Sequence, residues 1–69
     1  ALFGALRLLR NEIAQDRNIP SYIVFQDKTL KEMARLKPTT QSQLLAINGV
    51  GQKKYEQFGE QFLELGRIE

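Results

Sequence analysis

The sequence contains no cysteine, no histidine and no tryptophan. Without cysteine the chain has no disulfide and no thiolate metal site, and without histidine it lacks both the usual transition-metal ligand and the usual general base at neutral pH. This composition excludes metal catalysis and nucleophilic chemistry of the Ser-His or Cys-His kind. We therefore expect no catalytic residue, no metal and no cofactor in this chain.

Long apolar runs are also missing from the sequence. No stretch approaches the roughly 20 apolar residues that a membrane-spanning helix needs, and the N-terminus lacks the pattern of a secretory signal. We expect a soluble, intracellular protein that has no membrane partner. The 69 residues leave room for one hydrophobic core and no second domain, so stability has to come from helix packing.

Basic residues outnumber acidic ones only in the first half of the chain. The formal net charge is +2, and residues 1–37 carry seven basic and four acidic side chains, whereas the remainder carries three and four. Such a surplus is either a surface for nucleic acid or the ordinary charge of helix surfaces. Composition alone leaves both interpretations open.

The first helix is predicted from apolar residues that recur at spacings of three and four, which place them on one stripe. These residues are Leu2, Phe3, Leu6, Leu9 and Ile13. Asn18 tolerates a left-handed conformation and Pro20 drives its predecessor out of the helical region, so together they are expected to end the helix. The pattern already runs at Ala1 without a cap, which predicts that the chain was cut from a longer protein.

Three further helices are predicted after the first. Asp27 is expected to cap the second helix with its carboxylate, and Thr40 with Gln43 fits a capping box for a short third helix. Gly59 lies inside the fourth helix, at a cost of roughly 1 kcal/mol relative to alanine that close packing of another helix over it would offset. The fourth helix is predicted from an apolar face formed by Tyr55, Phe58, Phe62 and Leu65. The sequence therefore predicts an all-α fold, a compact bundle of four to five short helices.

The segment between the first two helices has the composition of a site for single-stranded nucleic acid. We interpret residues 21–25 as an extended or single-turn connector with one or two apolar side chains in solvent. Tyr22 offers a stacking face, worth roughly 1–3 kcal/mol per base, and few cations are near it, so the predicted binding is weak. The polar residues that accompany it are Arg17, Gln26, Lys28 and Lys31. The alternative is a Tyr22 ring in the core with only its hydroxyl in water.

A second candidate site is the turn formed by Gly49, Val50 and Gly51. Its glycines permit positive φ on either side of a buried valine, and the free amides of the helix that follows suit a phosphate oxygen. Lys53 and Lys54 follow within one turn. This turn resembles the helix-hairpin-helix element, which contacts the DNA backbone without reading sequence. The alternative is a tight corner, anchored by Val50, that binds nothing.

The order of these motifs resembles that of an HRDC domain, a family named for helicases and ribonuclease D. The motifs are the Leu-Arg pairs of the first helix, residues 19–25, Asp27 with Thr29 and Leu30, residues 37–39, residues 47–51, and Phe58 with Gly59. Residues 20–33 are most similar to the HRDC domain at the C-terminus of bacterial RecQ DNA helicases.

The resemblance implies a compact helical bundle within a cytoplasmic, nucleoid-associated bacterial enzyme that unwinds DNA in the 3′ to 5′ direction with ATP, in recombination and repair. It implies no catalytic activity for the domain itself, which is an auxiliary DNA-binding element, and it associates Tyr22 with single-strand contact. We expect residues 1–69 to be a single, monomeric HRDC-like domain from the C-terminal region of a larger protein. Its expected partner is single-stranded or partially single-stranded DNA.

A rival hypothesis is a protein-interaction module that docks on the parent helicase core or on a repair partner. Glu56, Glu60 and Glu64 recur at a spacing of four, which predicts an acidic, solvated stripe on the last helix. This stripe and the small net charge are the observations on which the rival hypothesis rests.

Overall fold

The computed structural model describes residues 2–68, which form five helices and no strand. The helices are α1 (Leu2–Arg17), α2 (Ser21–Val24), α3 (Asp27–Leu36), α4 (Gln41–Leu45) and α5 (residues 52–68). The last helix, α5, consists of an α-helical start Gln52–Lys54, a π-helical turn Tyr55–Gly59 and an α-helical end Glu60–Ile68. The predicted all-α bundle is confirmed. Ala1, at which the sequence predicts an uncapped start, lies outside the described residues, and none of the helices described is long and apolar enough to cross a bilayer.

Phe25 lies at the centre of the core, directly after α2. Its ring makes T-shaped contacts with the rings of Phe58 and Phe62 on α5, at centroid distances of 6.2 and 4.9 Å, a geometry that aromatic pairs prefer. The other buried apolar side chains come from all five helices and from the turn before α5: Leu2, Leu6, Ile13, Ala14, Val24, Leu30, Met33, Leu44, Ile47, Val50 and Leu63. The core therefore depends on contacts between segments that are far apart in sequence.

The end of α1 and the connector fold as the sequence predicts. Asn18 adopts the left-handed conformation with φ of 58°, and the connector becomes the single helical turn α2. Val24 and Phe25 are buried, whereas Tyr22 and Ile23 face solvent. A helix of four residues is too short to be stable by itself, so α2 must be held by other parts of the chain.

Asp27 does not cap α3, and that prediction is wrong. The N-cap position belongs to Gln26, whose side chain makes no capping hydrogen bond, and Asp27 is the first residue of the helix. Its carboxylate Oδ1 accepts a hydrogen bond from Nη1 of Arg10 at 2.6 Å. A buried guanidinium is a stronger partner for a carboxylate than the backbone amides of a helix end.

The predicted capping box of α4 is present in a shifted form. The Thr40 hydroxyl accepts from the backbone amide of Gln43 at 3.2 Å, as expected. The Gln43 side chain, however, accepts from the amide of Thr39 at 2.8 Å instead of returning to Thr40. The bond from Thr39 to Gln43 therefore restrains the residue before the cap and, with it, the loop between α3 and α4.

The turn before α5 uses one glycine with positive φ where the sequence allows two. Gly49 has φ of 94°, whereas Gly51 is extended with φ of −95°, and Val50 between them is buried. A Cβ on Gly49 would lie 2.3 Å from Oγ1 of Thr29, which donates to the carbonyl of Asn48 at 3.2 Å. The turn is thus tied closely to α3.

Gly59 is covered by a ring of its own helix. An added Cβ there would lie 2.4 Å from Cδ2 of Tyr55, so the missing side chain leaves room for that ring. The close contact at Gly59 therefore comes from a ring within the π-helical turn, which contains both residues, and not from another helix.

Candidate nucleic-acid interface

Tyr22 extends its ring into solvent from α2. The residue is 63% exposed, although Val24 and Phe25 in the same segment are fully buried. The alternative in which this ring belongs to the core is therefore wrong. An exposed aromatic ring on a fixed backbone has the geometry needed for stacking on an unpaired base.

A cleft of about 360 Å³ opens beside Tyr22. It is lined by Tyr22, Phe25, Gln26, Lys28, Thr29, Asn48, Gly49 and Lys54. The two candidate sites of the sequence thus share one cleft, since the connector supplies one part of its lining and the turn before α5 supplies another. The two sites lie together because α3 packs against the turn before α5. The spacing of residues in the sequence does not show this contact.

Lys28 and Lys31 extend the positive charge along α3. Together with Glu32 and Asn48 they line a second depression of about 400 Å³. Lys28 lines both this depression and the cleft beside Tyr22. Within residues 2–68, neither lysine forms a salt bridge. The carboxylate of Glu32 is occupied by Arg35 at 2.7 Å. Two ammonium groups along α3 are therefore available to phosphates, and that of Lys28 shares the cleft with the Tyr22 ring.

Arg17 does not line either cleft. Its guanidinium lies over the ring of Phe58, 4.9 Å from the centroid, and such a contact is worth about 0.5–1 kcal/mol at an exposed site. The structure therefore does not bring Arg17 together with Tyr22, Gln26 and Lys28.

The residues of the predicted phosphate site are separated by the structure. Gly49 and Lys54 line the cleft, whereas Gly51 and Lys53 are exposed outside it. The ammonium of Lys54 donates to the carbonyl of Val24 at 3.0 Å and to that of Ile23. Lys54 is thus engaged with α2, and Lys53 is the solvent-exposed lysine of the pair.

Arg10 is an important residue that the sequence reasoning missed. It is only 5% exposed, and its Nη1 donates to the carbonyl of Phe25 at 3.1 Å as well as to Asp27. The available signal was its spacing, because Arg10 stands four residues after Leu6 and three before Ile13, on the apolar stripe of α1. Since Arg10 is buried, it does not contribute to the basic surface that the charge count indicates.

The Arg10 guanidinium holds the pKa of Asp27 below its ordinary value of 3.8, by a hydrogen bond first and by charge attraction second. A lowered pKa in the folded state means that the pair stabilises the fold above the unfolded pKa, and that this contribution is lost as pH falls through the folded pKa. We expect Asp27→Asn to flatten the loss of stability below about pH 4. Urea unfolding followed by circular dichroism from neutral to acidic pH measures this effect.

The matched control for that experiment is Asp16→Asn, which removes an exposed carboxylate of α1 outside the ion pair. The control is expected to retain the acid dependence of the unmodified chain. An Asp27→Asn profile identical to that of the control would contradict the role given to the Arg10–Asp27 pair.

The bundle and its cleft define a small helical domain that presents an aromatic ring beside lysines. Residues 1–65 match the family model described as HRDC domain, and the chain belongs to that family. Among solved structures, the D. radiodurans RecQ HRDC domain 3 has a TM-score of 0.92 and 33% sequence identity, and covers 97% of this chain and 88% of that one. The predicted resemblance is thereby confirmed.

The curated relatives include bacterial DNA helicases. ATP-dependent DNA helicase RecQ of Pasteurella multocida is 55% identical over 64 residues, which are 93% of this chain and 10% of the relative. The RecQ helicase of Bacillus subtilis is 44% identical over 63 residues, 91% of this chain and 11% of the relative. The chain therefore spans about a tenth of the length of the helicases that it matches.

Proposed function

We propose that this chain is an auxiliary domain of a RecQ-type, ATP-dependent 3′ to 5′ DNA helicase and that it binds single-stranded DNA weakly. The observation that carries the proposal is the cleft in which the exposed ring of Tyr22 lies beside Gln26 and Lys28. Further support comes from relatives that match about nine-tenths of this chain and are named as DNA helicases.

In the proposed complex an unpaired base stacks on Tyr22 and its flanking phosphates lie near Lys28 and Lys31. Stacking tolerates any base because every base has a π-face, and Gln26 supplies a polar contact at the rim of the cleft. The slope of log affinity against log salt is negative, and each phosphate neutralised on a single strand adds about 0.7 to its magnitude. With only Lys28 in the cleft and Lys31 further along α3, binding is expected to be weak and to decrease as salt rises.

Replacing Tyr22 by alanine is expected to weaken single-strand binding by about tenfold, because stacking is worth roughly 1–3 kcal/mol per base. The measurement is fluorescence anisotropy of a labelled thymidine oligonucleotide at low salt. The control is Ile23→Ala, which shortens the other exposed side chain of α2 and is expected to bind like the unmodified chain. Equal affinity of Tyr22→Ala and the unmodified chain would remove the ring from the site.

Phosphate contact at Gly49, Gly51, Lys53 and Lys54 is a separate prediction for the same ligand. NMR titration with a short single strand distinguishes it from stacking on Tyr22. Larger shift changes at the amides of these four residues than at those of α2 would favour the turn as the main contact.

A second candidate function is docking on the parent helicase core or on a repair partner. It is favoured by an apolar groove between α1 and α5, where Leu8 is 62% exposed. The groove is lined by Ala5, Leu8, Leu9, Glu12, Gln61, Glu64 and Leu65. Failure to bind DNA at low ionic strength, combined with binding to the isolated parent core, would establish this function in place of the first.

The acidic stripe gives this second function less support than the sequence predicts. The carboxylate of Glu56 accepts a hydrogen bond from the side-chain amide of Gln52 at 3.1 Å, and that of Glu60 accepts from the hydroxyl of Tyr55 at 3.4 Å. Glu64 pairs with Arg67 at 2.7 Å. The exposed apolar groove, rather than a continuous row of carboxylates, is thus the feature that a protein partner would recognise.

A further inference from the structure

We infer that Lys54 is a positioning residue, which holds α2 so that the ring of Tyr22 stays outside the core, and that it does not contact phosphate itself. This inference rests on the proposed single-strand binding function. It assigns to Lys54 a role different from the phosphate contact that its place after the glycine turn predicts.

The first observation is that α2 is held by side chains from two other helices. Three successive carbonyls at its end accept hydrogen bonds from cations: those of Ile23 and Val24 from Lys54, and that of Phe25 from Arg10. The backbone bond at the end of α2 is weak, because the Phe25 amide lies 3.4 Å from the carbonyl of Ser21, although the Ile23 amide donates to the carbonyl of Pro20 at 3.0 Å. The conformation of this short turn thus depends on Lys54 and Arg10.

The second observation is the state of the Lys54 ammonium. It contacts two carbonyls and lies 5.8 Å from the centre of the Phe25 ring, and the residue is half-buried, whereas Lys53 beside it is exposed. Moving Lys54 onto a phosphate would leave carbonyls of α2 without a donor, which is costly in a partly buried place. Lys53 is exposed and would leave no carbonyl of α2 without a donor, so it is the better candidate for phosphate contact.

The first experiment compares Lys54→Met with the matched control Lys53→Met in oligonucleotide binding across a range of salt concentrations. We expect Lys54→Met to bind about tenfold more weakly, as Tyr22→Ala does, with an unchanged slope of log affinity against log salt. A direct phosphate contact would instead lower the magnitude of that slope by about 0.7. A lowered slope for Lys54→Met would overturn the inference.

The second experiment combines Lys54→Met with Tyr22→Ala. Residues that act through one another are non-additive, so Lys54→Met is expected to cause no further loss of affinity once the ring is absent. Independent losses that add in the double variant would show that Lys54 contributes to binding by itself, and would also overturn the inference.

A third readout needs no DNA and separates this inference from the proposed function. Amide hydrogen exchange at Ile23 and Phe25 is expected to be faster in Lys54→Met than in the unmodified chain, while that of Leu63 in the core changes little. Lys54→Gln, which keeps N–H donors on a shorter, uncharged side chain, should give an intermediate rate and serves if the methionine variant does not fold. Unchanged exchange in both variants would refute the positioning role, whereas absence of DNA binding by the unmodified chain would refute the proposed function alone.

Discussion

Replacing Phe25 by alanine is expected to remove most of the stability of the fold. The residue is 1% exposed, and truncation of a buried phenylalanine costs about 3–5 kcal/mol. Domains are stable by about 0.05–0.15 kcal/mol per residue, which is roughly 3–10 kcal/mol for a chain of this length. Urea unfolding monitored by far-ultraviolet circular dichroism measures the loss.

The control for this variant is Tyr22→Ala, which removes the other aromatic ring of the same segment. Because Tyr22 faces solvent, its removal is expected to change the free energy of unfolding by no more than about 0.5 kcal/mol. Similar destabilisation by the two substitutions would contradict the division of the segment into a buried and an exposed ring. It would also weaken the proposed role of Tyr22 in DNA binding.

Gly49→Ala is the second substitution for which we expect a large loss of stability, at least about 2 kcal/mol. The positive φ of Gly49 is unfavourable for any residue with a Cβ, and the new methyl group would collide with the hydroxyl of Thr29. Relieving the collision requires the Thr29 side chain to move, which breaks its bond to the carbonyl of Asn48. Thermal and urea unfolding both report the change.

Gly51→Ala is the matched control, because this glycine is extended and an added Cβ would have no neighbour within 4 Å among the described residues. We expect a change of no more than about 0.5 kcal/mol, because alanine restricts the unfolded chain but is a poorer N-cap than glycine, and Gly51 is the N-cap residue of α5. Equal effects of the two substitutions would show that the turn does not have the conformation described above.

Local features of the fold could be predicted from the sequence because short-range rules decide them. The left-handed Asn18 before Pro20 and the Thr40 cap each depend on a few neighbouring residues. In the segment after Pro20, four apolar or aromatic residues in a row cannot all point inward, so exposure of one or two of them follows from geometry.

The features that the sequence did not predict depend on distant contacts. The burial of Arg10 runs against the usual exposure of charged residues, and it becomes favourable only because Asp27 and the carbonyl of Phe25 receive the guanidinium. Lys54 shows the same limitation, since its partners belong to α2, a segment from an earlier part of the chain. Spacing along one helix contains no information about either contact.

The π-helical turn within α5 adds one residue to this helix relative to a regular α-helix. A π turn closes its hydrogen bonds over five residues where an α-helix closes them over four. Loss of a single residue between Lys54 and Glu60 would therefore restore a regular α-helix and leave the orientation of both flanking segments unchanged. A one-residue gap at this place in an alignment would record a local change of helix type, with the same bundle retained around it.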